Sequence, residues 1–515
     1  MRWLLIPMQP TPNGRLHIGH GGGPYLRADV IARALRRDGE HVEIISGSDA
    51  YENWVLADGL ATGRTPEQTC AVYHAGIKSD LDRLGVELNL WVDPLSAEHN
   101  SGYVHVQERL LSTLSDSGRA ELFTERVPLG VESGRPLMGV WIAGECPNCG
   151  AAAGGNSCTA CSDSFSPDLL RNPRSRLTNE QITWVDRPNW FAPAPRAVLE
   201  ALAATGLPGQ FQVPVQTFLD RKGARIRLSL PGEWGVPSSL APTDSVLSNT
   251  YYGYSVYCGQ LYSDLRSGVG NALDRDSGVT VVGLFGSDNS IAGLVAPQVL
   301  AVGTAFKAFD HTVINHMLHF EGRKCSTSQQ HGIWIEDVID KTNVSSDELR
   351  YCLTQIPLDR NVSDIDTGRI VTTVNRLRVW RTATLGPVLE ALKPGASTPT
   401  APVELRAALE RQQQYLRPPV VDLVDATDVL TDWMFKRDPQ HCETEAVAEW
   451  LLGVALLGAP ILPILAGQLW TELGLPGVPS RSVLNHAVQL SRTSAGLDLR
   501  MHTPLNAEDI AGIAR

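Results

Sequence analysis

A chain of 515 residues is too long for one ordinary core, so several domains are expected, and a 43% hydrophobic content is enough to fill them. The net charge of −12 argues against indiscriminate nucleic-acid binding, although a local basic track can still hold a polyanion. No apolar run approaches the roughly 18 residues of a membrane span, and nine cysteines, four of them packed between 146 and 161, do not form the pattern of a disulfide scaffold.

The first element is a short apolar strand, residues 3 to 7; its start resembles a leader but breaks at Pro7 and Pro10, so a cytoplasmic protein is expected. The turn PNGRLHIGH (12–20) follows, and then YLRADVIARALRR (25–37), which carries apolar residues at helical spacing. A second strand is read at 41–47, ending in Ser48-Asp49-Ala50-Tyr51-Glu52, and a helix over 65–84 is capped at Thr65-Pro66-Glu67. Alternating strand and helix imply a parallel sheet with ligands at the strands' carboxyl ends. From about 119 the pattern loosens into an insertion, resumes at about 211, and places a buried strand at 280–288 ending in Gly286-Ser287-Asp288. Another strand is read over 312–320. After Trp334 the chain reads as mostly helical, with a loop at 393–403 and a long buried helix over 446–472 bent at Pro460 and Pro463.

Three motifs carry chemistry. His17 and His20 lie three residues apart at the mouth of the first strand-to-helix turn, where free N–H groups and the helix dipole favour an anion. Alone, such a tetrad is as readily a turn that happens to contain two histidines. Cys146-Pro-Asn-Cys149 and Cys158-Thr-Ala-Cys161 form two CxxC turns eight residues apart, which suits one tetrahedral Zn²⁺. Four thiolates leave no open position for water, so that zinc would be structural. The third motif is Lys324-Cys325-Ser326-Thr327-Ser328: a lysine among hydroxyls and free N–H groups suits a triphosphate. The chain holds only seven lysines beside 37 arginines, which makes a lysine placed there less ordinary.

Taken in order, these motifs resemble a class I aminoacyl-tRNA synthetase, and specifically the methionyl-tRNA synthetase family. PNGRLHIGH looks like the first signature and KCSTS (324–328) like the KMSKS signature. The four cysteines match the zinc knuckle, LRYCLTQIPLDRNVSDID (349–366) looks like the connecting segment, and PILPILAGQLWTELG (460–474) is similar to a helix of the anticodon domain. The resemblance implies an α/β Rossmann-type catalytic domain in two halves, 1–118 and 211–335. A connective insertion with the four-cysteine zinc knuckle at 119–210, a connector at 336–375 and a helical anticodon-binding-like domain at 376–515 complete it. It also implies ATP with Mg²⁺ and attack of an amino-acid carboxylate on the α-phosphorus. His17, His20 and Lys324 would stabilise charge there. Asn13, Gly19, Gly286, Asp288, Ser326, Thr327 and Ser328 would contact ATP, with Asp288 on the ribose hydroxyls. Asp49 would take the substrate's ammonium, and Gln9, Thr11, Thr250, Tyr251, Tyr254 and Asn289 would complete the amino-acid pocket.

The departures from the family fall where specificity is set. Gln9 and Thr11 stand where the family has an apolar residue and a tyrosine, Asn289 and Gly293 stand for its isoleucine and histidine, and of its Trp-Leu-Asp-Ala-Pro-Ile-Gly-Tyr segment only Gly253-Tyr254 remains. A thioether pocket should be dry, because an unpaired buried polar group costs about 1 to 3 kcal/mol. These residues imply a polar ligand. Thr327 replaces the second lysine of KMSKS, and the anticodon-reading Asn and Arg fall near Thr384 and Val388. Residues 372–515 hold 13 Lys plus Arg against 15 Asp plus Glu, without the basic face of an RNA-gripping domain beyond 376–381. Trp433 stands either for the anticodon-stacking tryptophan or for a core residue.

The expected function is therefore an ATP-dependent, AMP-forming ligase that passes an aminoacyl group to a small hydroxyl, hydroxylamine or amine acceptor. Synthetase-like domains of this kind occur in hydrazine-forming natural-product pathways beside a cupin, which this chain lacks, so a separate cupin-type partner is expected in such a setting. A methionine–tRNA ligase and a catalytically inactive paralogue remain the alternatives.

Overall fold

The structure is a computed structural model and describes all residues except 177, 206, 328, 394, 400, 401, 438, 440–442, 494–496 and 498–502. Its core is a five-stranded, all-parallel sheet formed by β1 (Arg2–Pro7), β2 (His41–Gly47), β3 (Leu90–Val92), β4 (Val279–Gly286) and β5 (His311–Asn315), in the spatial order β5-β4-β1-β2-β3. β1 is central, and Trp3, Leu4, Leu5 and Ile6 are all buried, as a strand covered by helices on both faces requires. From β1 the chain proceeds outward through β2 and β3, then returns to the other side of β1 as β4. Strand order thus reverses between β1 and β4, and the crevice at their carboxyl ends is where such sheets bind ligands.

The helix after the first turn runs Leu26–Arg37. After β2 come two helices, Trp54–Thr62 and Pro66–Arg83, the second with Thr65 as N-cap and a capping box closed by Gln68. The strand read as one over 312–320 is two. β5 ends at Asn315, and Leu318–Phe320 joins a separate small sheet, pairing with Arg323–Lys324 and Ser363–Ile365. The helix read as bent at 446–472 is broken into Thr444–Gly458 and Pro463–Glu472, because Pro463 opens a new first turn, where its missing N–H costs nothing.

The insertion is built on a ladder of ten residue pairs between Glu121–Gly130 and Ile182–Pro193. Arg225–Arg227 extends the same sheet, so the insertion's architecture runs past residue 210. The helical region packs its own core around Trp380, Trp433, Trp450 and Trp470. Arg350 ties it to the parallel-sheet domain. Fully buried, it reaches Asp29 at 2.6 Å and the Pro460 carbonyl at 2.9 Å. Burial alone would raise Asp29, but Arg350 and Arg33 hold it below the usual carboxylate range. The final helix, Ala507–Ala511, brings Arg515 back to pair with Gly332 through both backbone groups. Among the described residues no helix is long and apolar enough to cross a membrane.

Candidate active site

The crevice at the β1–β4 switch point is a cavity of about 610 Å³. Gln9, Thr11, Asn13, His17, Gly19, His20, Asp49, Gly286, Asp288, Asn289, Lys324, Ser326 and Thr327 all line it. These residues come from four separate stretches of chain. Three of them follow parallel strands that end at the same edge, and the fourth, 324–327, comes from the separate small sheet and packs against the first turn.

His17 is the N-cap of the short helix Ile18–His20, and its Nδ1 accepts the backbone N–H of Gly19 at 3.1 Å and of His20 at 3.3 Å. The ring proton therefore sits on Nε2. The two imidazoles stack with centroids 3.8 Å apart, and Trp334 meets His17 edge-on. Burial, then His20, then Lys324, hold His17 well below the ordinary imidazole value, while burial and Lys324 lower His20 to about 4. Both rings are neutral at pH 7, so they serve as hydrogen-bond donors and not as cations. His20 Nδ1 is buried with no partner.

Lys324 faces them from the short strand Arg323–Lys324, opposite His319. The loop after it packs tightly on the first turn. A Cβ at Gly14 would collide with the Thr327 methyl, and one at Gly19 would sit 3.2 Å from Cys325 Cβ. Glycine at these positions lets the two signatures touch. Ser326 and His331 exchange backbone hydrogen bonds of 2.8 and 3.0 Å, which closes the loop. Ser328 lies outside the described residues.

Across the cavity, Asp49 and Glu52 form an acidic pair, with no basic partner in an ion pair among the described residues. Burial, then Glu52, push Asp49 well above the usual carboxylate range, and burial raises Glu52. Asp49 accepts from Asn249 Nδ2, whose own Oδ1 accepts from Tyr103, and Gln107 donates to the Tyr103 hydroxyl at 3.2 Å. This network fixes the position of the Asp49 carboxylate. Asp288 sits in the turn after β4, and its Oδ1 accepts from Asn289 Nδ2 at 3.3 Å. Gln9 is 6% exposed and its Oε1 has no partner, while Asn315 Oδ1 at the end of β5 is likewise buried and unpaired.

Three expected pocket residues do not line this cavity. Thr250 is the N-cap of helix Tyr251–Leu265, accepting from Gly253 N–H at 3.0 Å. Tyr251 donates to the Ile6 carbonyl and accepts the Leu284 N–H at 3.2 Å, so its hydroxyl is consumed in stitching β1 to β4. Both line a neighbouring chamber. Tyr254 is fully buried and lines neither chamber. At Gly293 the missing side chain is replaced by the Phe285 ring. Glu52, Asn249 and Asn315 escaped the sequence reading, although Glu52 stands in the same strand-end segment as Asp49. Asn249 and Asn315 carry no local signal, since only tertiary folding brings them there.

The four cysteine sulfurs lie within 4.8 Å of one another, with Cys146–Cys161 and Cys149–Cys158 each at 3.7 Å. A tetrahedron with Zn–S bonds of about 2.3 Å has sulfurs roughly 3.8 Å apart, so the cage fits zinc and is far too open for disulfides. In the helical region Trp433 is 2% exposed, and it and Trp450 donate to each other's carbonyls at 3.0 and 2.9 Å. It is a core residue. Arg378 is buried against Glu348 at 2.8 Å, and Arg376 lies over Phe435.

A parallel sheet with a histidine-bearing first turn at its switch point, a lysine loop beside it and a four-cysteine cage in the insertion defines a Rossmann-type α/β protein. The profile of the family described as tRNA synthetases class I (M) matches residues 8–377, and the chain belongs to that family. Among curated relatives, proteins named methionine–tRNA ligase from Cytophaga hutchinsonii and Salinibacter ruber are 26% and 27% identical over 373 and 380 residues. The alignments cover 68% and 69% of this chain. The chain spans about half the length of the curated relatives it matches, 53% and 52%. The solved Mycobacterium tuberculosis methionyl-tRNA synthetase bound by methionyl-adenylate superposes with a TM-score of 0.68 at 16% identity, covering 98% of this chain and 99% of that one. At that identity the likeness establishes the fold.

Proposed function

We propose that this protein activates an amino-acid carboxylate with ATP, releasing pyrophosphate, and transfers the acyl group to a small hydroxyl, hydroxylamine or amine acceptor. The observation that carries the activation step is the convergence of His17, His20, Lys324, Asp49 and Asp288 on one cavity. The carboxylate is already ionised, so no base is needed. His17 Nε2–H, His20 and Lys324 stabilise charge on the phosphate oxygens, with Mg²⁺ accompanying ATP, and Asp288 holds the ribose. Gly19, Gly286, Asn13 and the Ser326–Thr327 loop bring backbone close to the nucleotide. Asp49, with Glu52, takes the α-ammonium. Cys146, Cys149, Cys158 and Cys161 hold a structural zinc that secures the knuckle.

A polar amino acid is favoured by Gln9, whose buried Oε1 has no partner within the protein and would be satisfied by a donor on the substrate. A small acceptor is favoured by the helical region, where Trp433 is spent in the core and Arg378 of the short basic cluster is paired with Glu348. An ester formed on a hydroxylamine would be rearranged by a separate cupin-type partner. Transfer of methionine to tRNA is the second reading, favoured by the names of the curated relatives. ATP–pyrophosphate exchange across an amino-acid panel, followed by charging of purified tRNA, separates them. Exchange with a polar amino acid and no charging supports the proposal; methionine-specific exchange with charging overturns it.

A further inference from the structure

A second chamber of about 460 Å³ opens beside the first and shares Glu52, Asn156, Ser164, Ile291 and Ala292 with it. It lies under the insertion's sheet, and the strand Arg225–Arg227 lines it with a cation whose hydrogen bonding is incomplete. Of the cations that line it, Arg221 is tied to Asp163, Arg227 is tied to Glu125, and Lys222 is exposed to solvent. Arg225 has no carboxylate partner among the described residues. Its Nε donates to the Gly223 carbonyl at 2.8 Å, and its Nη1 is buried with no hydrogen-bond partner. The guanidinium carbon lies 3.4 Å from the Phe123 ring centroid and 5.6 Å from that of Phe191, which fixes the plane of the fork. A held, partly desolvated guanidinium with an unused N–H is unsatisfied until an anion arrives, and its geometry matches the two oxygens of a carboxylate.

We infer that this chamber binds the acyl acceptor and that the acceptor bears a carboxylate engaged by Arg225. The inference rests on the activation reading above and gives the acceptor a chemical class. The acceptor's oxygen or nitrogen lone pair attacks the adenylate carbonyl carbon and forms a new C–O or C–N bond. The bond from that carbon to the phosphate oxygen breaks, AMP leaves with its electron pair, and the acceptor's proton passes to solvent. Activation in the first chamber and capture from the second need a shared wall, which the five common residues provide. A terminal phosphate of RNA would offer Arg225 the same negative charge, and the test separates the two.

The experiment measures AMP release by the full chain with ATP, the amino acid that supports exchange, and pairs of amine, hydroxylamine or alcohol acceptors that differ only as free acid or primary amide. Exchange is read in parallel on every protein. The expected result is AMP release stimulated by the acid, with a KM roughly 10- to 100-fold lower than for the amide. In Arg225→Met, which keeps a stem to pack on Phe123, the ratio falls to about one, and Arg225→Lys restores part of it. Exchange with equal use of acid and amide overturns the inference and leaves activation standing. Arg225-dependent charging of tRNA also overturns it, and absence of exchange with any amino acid overturns the activation reading and this inference together.

Discussion

Replacing His20 by Gln tests the claim that the paired imidazoles are held neutral. Burial, helped by Lys324, lowers His20 to about 4, whereas a free imidazole titrates near 6.5. Between those values the unfolded chain binds a proton that the folded chain does not, so the unfolding free energy rises with pH across that window. The stability this ring permits is complete above about pH 6.5 and is lost as pH falls toward about 4. At 1.36 kcal/mol per unit the full window is worth about 3 kcal/mol, an upper limit because the ring is partly exposed. Urea midpoints between about pH 4.5 and 7.5 for the wild type and His20→Gln provide the assay. The variant loses less stability on acidification, so that it gains on the wild type by up to about 3 kcal/mol across the window. Parallel pH profiles for the two proteins would refute the reasoning, since His17 is present in both.

The remaining predictions address other parts of the molecule. Lys324→Ala lowers pyrophosphate exchange by roughly 100- to 1,000-fold while the urea midpoint barely moves, because the side chain acts on developing charge. Since Asp49 and Glu52 are both raised and an ammonium favours their ionised forms, the KM for the amino acid falls as pH rises above the ordinary carboxylate range, and Asp49→Asn weakens that dependence. The protein carries one zinc per chain by elemental analysis, and chelation opens 142–175 to protease. Trp433→Ala costs about 3 to 5 kcal/mol in urea unfolding, the size expected of a core indole; a change under about 1 kcal/mol would return it to the surface.

The residues legible in the sequence share a physical property: each lies in a short stretch whose local geometry follows from its own residues. His17 and His20 occupy one turn, Asp49 and Asp288 close two buried strands, and each CxxC turn brings two thiols to one side of a short segment. β2 was legible to the residue because HVEIISG is apolar and closed by Ser48-Asp49. The split of 312–320 was hidden because both pieces are apolar, and only pairing with different sheets separates them. Thr250, Tyr251 and Tyr254 were assigned by matching a motif, yet what decides their roles is which side of helix Tyr251–Leu265 each occupies. Thr250 caps it, Tyr251 stitches two strands, and Tyr254 enters the core. Trp433 posed the same ambiguity, settled by its reciprocal hydrogen bonds with Trp450. The unpaired Nη1 of Arg225 depends on Phe123, about a hundred residues away, and no spacing in the sequence announces it.

The most direct test of carboxylate activation is isotopic. The protein is incubated with ATP, the acceptor and an amino acid labelled with ¹⁸O in its carboxylate, and the released nucleotide is weighed by mass spectrometry. Attack of the carboxylate on the α-phosphorus predicts AMP carrying one ¹⁸O, because the later acyl transfer breaks the bond between the carbonyl carbon and that oxygen. Unlabelled AMP, or ADP with the label in inorganic phosphate, would contradict it.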